Sequence, residues 1–209
     1  MHSKAATIEV TQPKLFTAGA VAAVNAYGAL LALPVFASVL VVSVTKFGLL
    51  TALIPLLVVA GTAYFLPFGL GNTHVTRLVR SLHPGAAQDG ERFIVQLTVS
   101  PRLRSGLRAL LEDADDIGFL TFREDELLFQ GDSVKLSVPS NRVELVRPQN
   151  IGLRGLFVYG RRIKIVVSGL PQVESVEFAE RSSWVLPTSR AITRKLYQCL
   201  STRPPQEFR

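Results

Sequence analysis

The sequence predicts an α+β protein: an N-terminal two-helix transmembrane hairpin, then a small antiparallel barrel-like β domain with a C-terminal helix. Three observations predict it. From Leu15 to Thr73, about sixty residues carry one charge, Lys46. From about Phe93 onward, apolar and polar residues alternate with the period of half-buried strands. Near the C terminus the period changes, and Ile192, Leu196, Cys199 and Leu200 fall on one face of a helix.

A spanning helix needs roughly 20 consecutive apolar residues. Leu15–Val44 offers thirty uncharged residues and Phe47–Thr73 twenty-seven, too many for one span and enough for two. Lys46 belongs at a water interface between them, and Gly48 supplies the backbone freedom of a tight turn. A cleaved signal peptide would have a shorter apolar core, about 7–15 residues. A buried soluble hairpin would show a polar stripe, and neither segment has one. Pro34 and Pro55 are tolerated within lipid, where they kink a helix. Ala18, Ala22 and Ala26 recur every four residues and permit close helix approach, with Asn25 available for a hydrogen bond across the hairpin. These four residues are the helix-packing candidates. Neither span holds an ionisable group, which argues against a pore or pump built by this chain alone. Lys4 and Lys14 precede the run and Arg77 and Arg80 follow it, against Lys46 alone in the turn. That bias predicts an integral membrane protein with both termini cytoplasmic. Cys199 is the only cysteine, so an intrachain disulfide is impossible.

The predicted organisation is a tail at 1–14, the hairpin at 15–73, a linker at 74–92, the β domain at 93–201 and a tail at 202–209. Strands are expected at Phe93–Val99, Gly118–Phe122, Leu127–Gln130, Val134–Val138, Val143–Leu145, Leu156–Tyr159, Ile163–Val167 and Val176–Phe178. Leu103, Leu107, Leu110 and Leu111 have helical spacing. Thr188 or Ser189 caps the final helix. Short antiparallel strands closed by one C-terminal amphipathic helix resemble the pleckstrin-homology-like superfold, including its GRAM-type members. The stretch Ile117–Leu200 carries the resemblance, with Gly118–Phe122, Leu128–Asp132 and Val134–Pro139 as the opening meander. Such domains bind lipids, peptides or partner proteins, and the fold does not select among them.

The acidic patch Glu112, Asp113, Asp115 and Asp116, with Gly118 and Glu124, partly matches a calcium loop. The fifth loop position holds Ile117, which supplies no oxygen, and the patch reads as a solvated turn. No metal is expected. Arg154, Arg161, Arg162 and Lys164 cluster around one hairpin turn, with Arg142 and Arg147 upstream. Each such cation near an anionic leaflet contributes about 1 kcal/mol, which makes the cluster the candidate lipid- or partner-binding site. The net charge of +7 comes without a nucleic-acid motif or stacking aromatics, so no nucleic acid is expected. His2, His74 and His83 lie in the tail and linker, and no nucleophile, phosphate-loop or dinucleotide motif is present. No catalytic residue and no cofactor are expected. Trp184 reads as packing before the last helix. The leading expectation is a non-enzymatic, membrane-anchored module that binds a protein partner or anionic lipid headgroup at the cytoplasmic face. The alternative is a structural subunit of a larger membrane complex, with the hairpin contacting other membrane proteins.

Overall fold

A computed structural model of the chain describes residues 5–23, 37, 38, 41, 45, 69–82, 91–103, 114–123, 125–149, 162–183 and 185–202. Eight strands form one antiparallel sheet: β1 (Thr7–Val10), β2 (Arg92–Ser100), β3 (Asp116–Phe122), β4 (Glu126–Gly131), β5 (Val134–Pro139), β6 (Val143–Gln149), β7 (Arg162–Val167) and β8 (Ser175–Glu180). Their spatial order is β1-β5-β4-β3-β2-β8-β7-β6. Helix α1 (Gly69–Leu82) lies between β1 and β2 in the chain, and α2 (Leu186–Ser201) follows β8.

Alternation decides which side chains face which side of the sheet. On the inner face, Phe93, Val95, Leu97 and Val99 of β2 join Leu120 of β3, Phe129 of β4, Leu136 of β5, Ile163 and Ile165 of β7, and Val176 and Phe178 of β8 in one buried cluster. Ala6 at one edge of the sheet and Leu196 and Leu200 of α2 belong to the same cluster, so the sheet curls around its core. Phe129 and Phe178 meet across it with ring centroids 6.1 Å apart. Among the described residues, β1 and β6 are the two edges of the curled sheet and are not joined to each other. Edge strand β6 carries the features that discourage edge-to-edge pairing: a register shift between Val143 and Leu145, a proline at Pro148 and exposed charges at Glu144 and Arg147.

The outer face is divided. Over β2 and β3, Ile94, Ile117 and Phe119 lie under Val75, Leu78 and Val79 of α1 and under Phe16 and Val21, forming a second cluster. Asn72 and Thr76 fix α1 by donating to the backbone carbonyls of Ser183 and Arg181. The turn between β4 and β5 anchors the N-terminal segment. Asp132 Oδ2 accepts the consecutive backbone N–H groups of Lys14, Leu15 and Phe16 at 2.8–2.9 Å. Asp116 crosses the turn from β3, and its Oδ2 accepts the N–H groups of Ser133 and Val134 at 2.8 and 2.7 Å.

This architecture corrects the predicted fold class. Among the described residues no helix is long and apolar enough to cross a membrane. Leu15 and Phe16, expected to open the first span, bind the Asp132 carboxylate. The expected end of the second span at Thr73 falls inside α1, which runs on to Leu82. The physical reason is that both ends of the apolar run have a protein surface to cover, the outer face of β2 and β3. The integral-membrane placement with cytoplasmic termini rested on that hairpin and is corrected with it. Lys46, Pro34 and Pro55 lie outside the described residues, as does the rest of 24–68 apart from residues 37, 38, 41 and 45. The sheet is also larger than a small barrel: it holds eight strands, and Thr7–Val10, expected as tail, pairs with β5.

The acidic patch is not a solvated turn where it is described. Asp115 and Asp116 are fully buried. Asp115 Oδ2 accepts the Val99 N–H at 2.8 Å, with Arg102 Nε 3.8 Å from its other oxygen. Glu112, Asp113 and Glu124 lie outside the described residues, as does Trp184.

Candidate functional site

The second half of the outer face, over β8, β7 and β6, is polar. With Ile163, Ile165 and Val167 turned into the core, alternation turns Arg162, Lys164 and Val166 outward. Register then sets their neighbours. Lys164 lies opposite Arg147 of β6 on one side and Glu177 of β8 on the other. Arg162 lies opposite Gln149, and Glu177 lies opposite Thr98 of β2.

Arg162 is 2 % exposed. Its guanidinium lies 3.2 Å from Glu177 Oε2 and 3.4 Å from Thr98 Oγ1. This cation is therefore a structural tie across β7, β8 and β2, and removing either partner would strand a buried charge. Lys164 is half-buried and Arg147 exposed. Among the described residues neither is within ion-pair distance of a carboxylate, and the Glu177 Oε2 atom beside Lys164 bonds Arg162. Like charges directly opposite in a sheet destabilise it. Lys164 therefore stands between a like charge, Arg147, on its β6 side and a carboxylate, Glu177, on its β8 side, and the Lys–Arg contact is a cost at the accessible end of the row. Leu145, on the same face of β6 two residues before Arg147, is 47 % exposed. The patch combines two available cations with an apolar neighbour at a sheet edge, and its chemistry is attraction of an anion.

Of the cluster expected from sequence, the structure places Arg162 and Lys164 two residues apart on β7 and gives them opposite roles. Arg154 and Arg161 lie outside the described residues. Arg142, upstream, ends a single 3-10 turn, Ser140–Arg142, and its carbonyl accepts the Ser168 N–H at 2.9 Å. Arg147 becomes a principal site residue because register sets it against Lys164. The sequence holds no signal for that pairing, since β6 and β7 are joined through residues whose length does not fix register. The helix-packing candidates Ala18 and Ala22 are half-buried on a helical segment at 18–23, beside Phe16 and Val21 of the second cluster. Asn25 and Ala26 lie outside the described residues.

Cys199 is half-buried on α2. Its thiol lies 3.2 Å from Glu91 Oε2, and Lys195 pairs with the same carboxylate. The hydrogen bonds from Lys195 and Cys199 hold the Glu91 carboxyl below its usual range, and Glu91 in turn raises Lys195. The arrangement ties the start of β2 to α2. Among the described residues no group of three or more His, Cys, Asp or Glu side chains is placed to hold a metal. In comparisons with known proteins, no family model, curated protein or solved structure matches this chain.

Proposed function

We propose that the domain is a non-catalytic binding module that takes an anionic lipid headgroup at the Arg147–Lys164 patch on the outer face of β6 and β7. The observation that carries this reading is the like-charge pair itself, two cations in register on an accessible face, neither within ion-pair distance of a carboxylate among the described residues. Leu145 beside them supports a lipid surface, where phosphates meet the cations and the leucine reaches the acyl boundary. Attraction to an anionic leaflet contributes about 1 kcal/mol per cation and is screened by salt.

The test is co-sedimentation of the full-length protein with phosphatidylcholine vesicles, with and without phosphatidylserine. The protein is expected to bind only the anionic vesicles and to release as salt rises. Arg147→Gln with Lys164→Gln removes about 2 kcal/mol, so the partition constant should fall about thirtyfold with the circular dichroism spectrum unchanged. Equal binding by the double variant, or equal binding to neutral vesicles, would overturn the assignment. Arg162→Gln is unsuited to this purpose, because it breaks the buried pair with Glu177 and reports on folding.

A further inference from the structure

Strand β1 ends the sheet, and among the described residues no strand pairs with its outward side. Its register against β5 decides which backbone groups face that side. The Thr11 N–H donates to the Ser133 carbonyl at 2.7 Å, and those two residues continue the register that pairs Val10 with Val134. Hydrogen-bonded and non-hydrogen-bonded pairs alternate along an antiparallel ladder. Thr7 and Glu9 therefore bond to β5, whereas the N–H and carbonyl groups of Ile8 and Val10 point outward. Side chains alternate as well. Ala6 and Ile8 pack with the inner core, which puts Val10 on that face, where it is 51 % exposed. Glu9 is exposed on the outer face.

The two edges of the sheet differ. Strand β6 is guarded by its register shift, Pro148 and its charges. Strand β1 holds no proline and no register shift, and its single charge is Glu9. It is also held in place. Ala6 is buried in the core, and beyond the strand Asp132 accepts the N–H groups of Lys14, Leu15 and Phe16. A fixed acceptor strand spares a guest part of the ordering cost of binding.

We propose that the β1 edge takes an extended segment of a partner protein as an added strand, one that carries a cation between two apolar residues. An antiparallel guest in register with Ile8 and Val10 exchanges two backbone bonds with each. Its residues opposite Ile8 and Val10 lie on the inner face, where apolar side chains cover Val10. The residue between them lies opposite Glu9, at a non-hydrogen-bonded position where facing side chains come closest. A cation there completes a row of alternating charge, because Lys135 faces Glu9 from the β5 side. A second copy of β1 does not fit, since self-pairing through the same bonds sets Glu9 against Glu9. This surface is at the opposite edge of the sheet from the Arg147–Lys164 patch, so its test is independent of the vesicle experiment.

The experiment measures fluorescence anisotropy of labelled peptides Thr-Val-Lys-Val-Thr and Thr-Val-Glu-Val-Thr with the full-length protein. The lysine peptide is expected to bind at least tenfold more tightly, although the net charge of +7 favours the glutamate one. Glu9→Lys should reverse that preference. Hydrogen exchange at Ile8 and Val10 should slow at least tenfold with the lysine peptide and stay unchanged at Thr7 and Glu9. Val10→Pro removes one outward N–H and leaves the β5 ladder intact, as proline on an edge strand does. It should abolish binding with the circular dichroism spectrum unchanged. Should Val10→Pro not fold, the lysine peptide N-methylated at both valines decides: loss of binding supports the added strand, and retention overturns it. Equal binding of the two peptides, binding of neither at millimolar concentration, or a dimer that Val10→Pro dissolves in sedimentation would also overturn the proposal.

Discussion

Gly118→Ala is expected to be the most damaging small substitution in the sheet. Gly118 of β3 and Gly131 of β4 lie directly opposite each other. A Cβ on Gly118 would stand 2.1 Å from the Gln130 carbonyl oxygen and 2.5 Å from Gly131 Cα. Both are backbone atoms, so no side chain can swing aside, and the pairing of β3 with β4 must break or shift. A shift by one residue would turn Leu120 and Phe129 away from the core. Gly131→Ala fails differently: its Cβ would stand 2.1 Å from Asp116 Oδ2, the atom that holds Ser133 and Val134. Either variant should lose more than about 3 kcal/mol, the upper end of ordinary overpacking costs. For a domain of this size that is a fall of about 10 °C or more in melting temperature. A melting temperature within about 2 °C of wild type would refute the close approach of the two strands.

Glu180→Ala is expected to release the C-terminal helix. The Glu180 carboxylate is buried at the end of β8 and accepts five hydrogen bonds. They come from the N–H and hydroxyl of Ser182, the N–H and hydroxyl of Ser183, and the hydroxyl of Ser189 in the first turn of α2. The residue preceding that helix, Val185, supplies no side-chain cap. Glu180 therefore orders the connection into α2 and places a negative charge near its N terminus, where the helix dipole favours one. Alanine would leave several buried donors without partners, at about 1–3 kcal/mol each before relaxation. A net loss of about 3–5 kcal/mol is expected, comparable to breaking a buried ion pair. Hydrogen exchange should show protection falling first in α2, ahead of β2 and β3. Uniform loss across the sheet, or no loss, would refute the local role.

Glu180 also shows how far the sequence could be read. Alternation puts Glu180 on the same face as Val176 and Phe178, but nothing in Glu180–Ser183 marks three serines converging on it. Asp115 and Asp116 reverse their expected role because their partners come from elsewhere in the chain: Val99 on β2, Ser133 in the β4–β5 turn and Val134 on β5. The apolar residues of β2, β3, β4, β5, β7 and β8 were legible because a period of two needs no partner to be recognised. The amphipathic face of α2 was equally legible, with Leu196 and Leu200 in the core. The candidate site was half legible. Arg162 and Lys164 differ in role because one finds Glu177 across the sheet and the other meets Arg147, and register is a property of strand pairs.

The run from Leu15 to Thr73 marks the same boundary. Hydropathy measures a residue's preference to leave water and is silent about what receives it. Phe16 and Val21 left water for the outer face of β2 and β3, in company with Val75 and Val79 of α1. By itself the sequence determined which residues are apolar, which segments alternate as strands and where the last helix lies, because each follows from local period and composition. Only the tertiary structure decided that Thr7–Val10 joins the sheet, that buried aspartates clamp its corner, and that Arg147 and Lys164 face each other on β6 and β7. Each of those depends on contacts between residues far apart in the chain, and chain-wise patterns carry no information about such pairings.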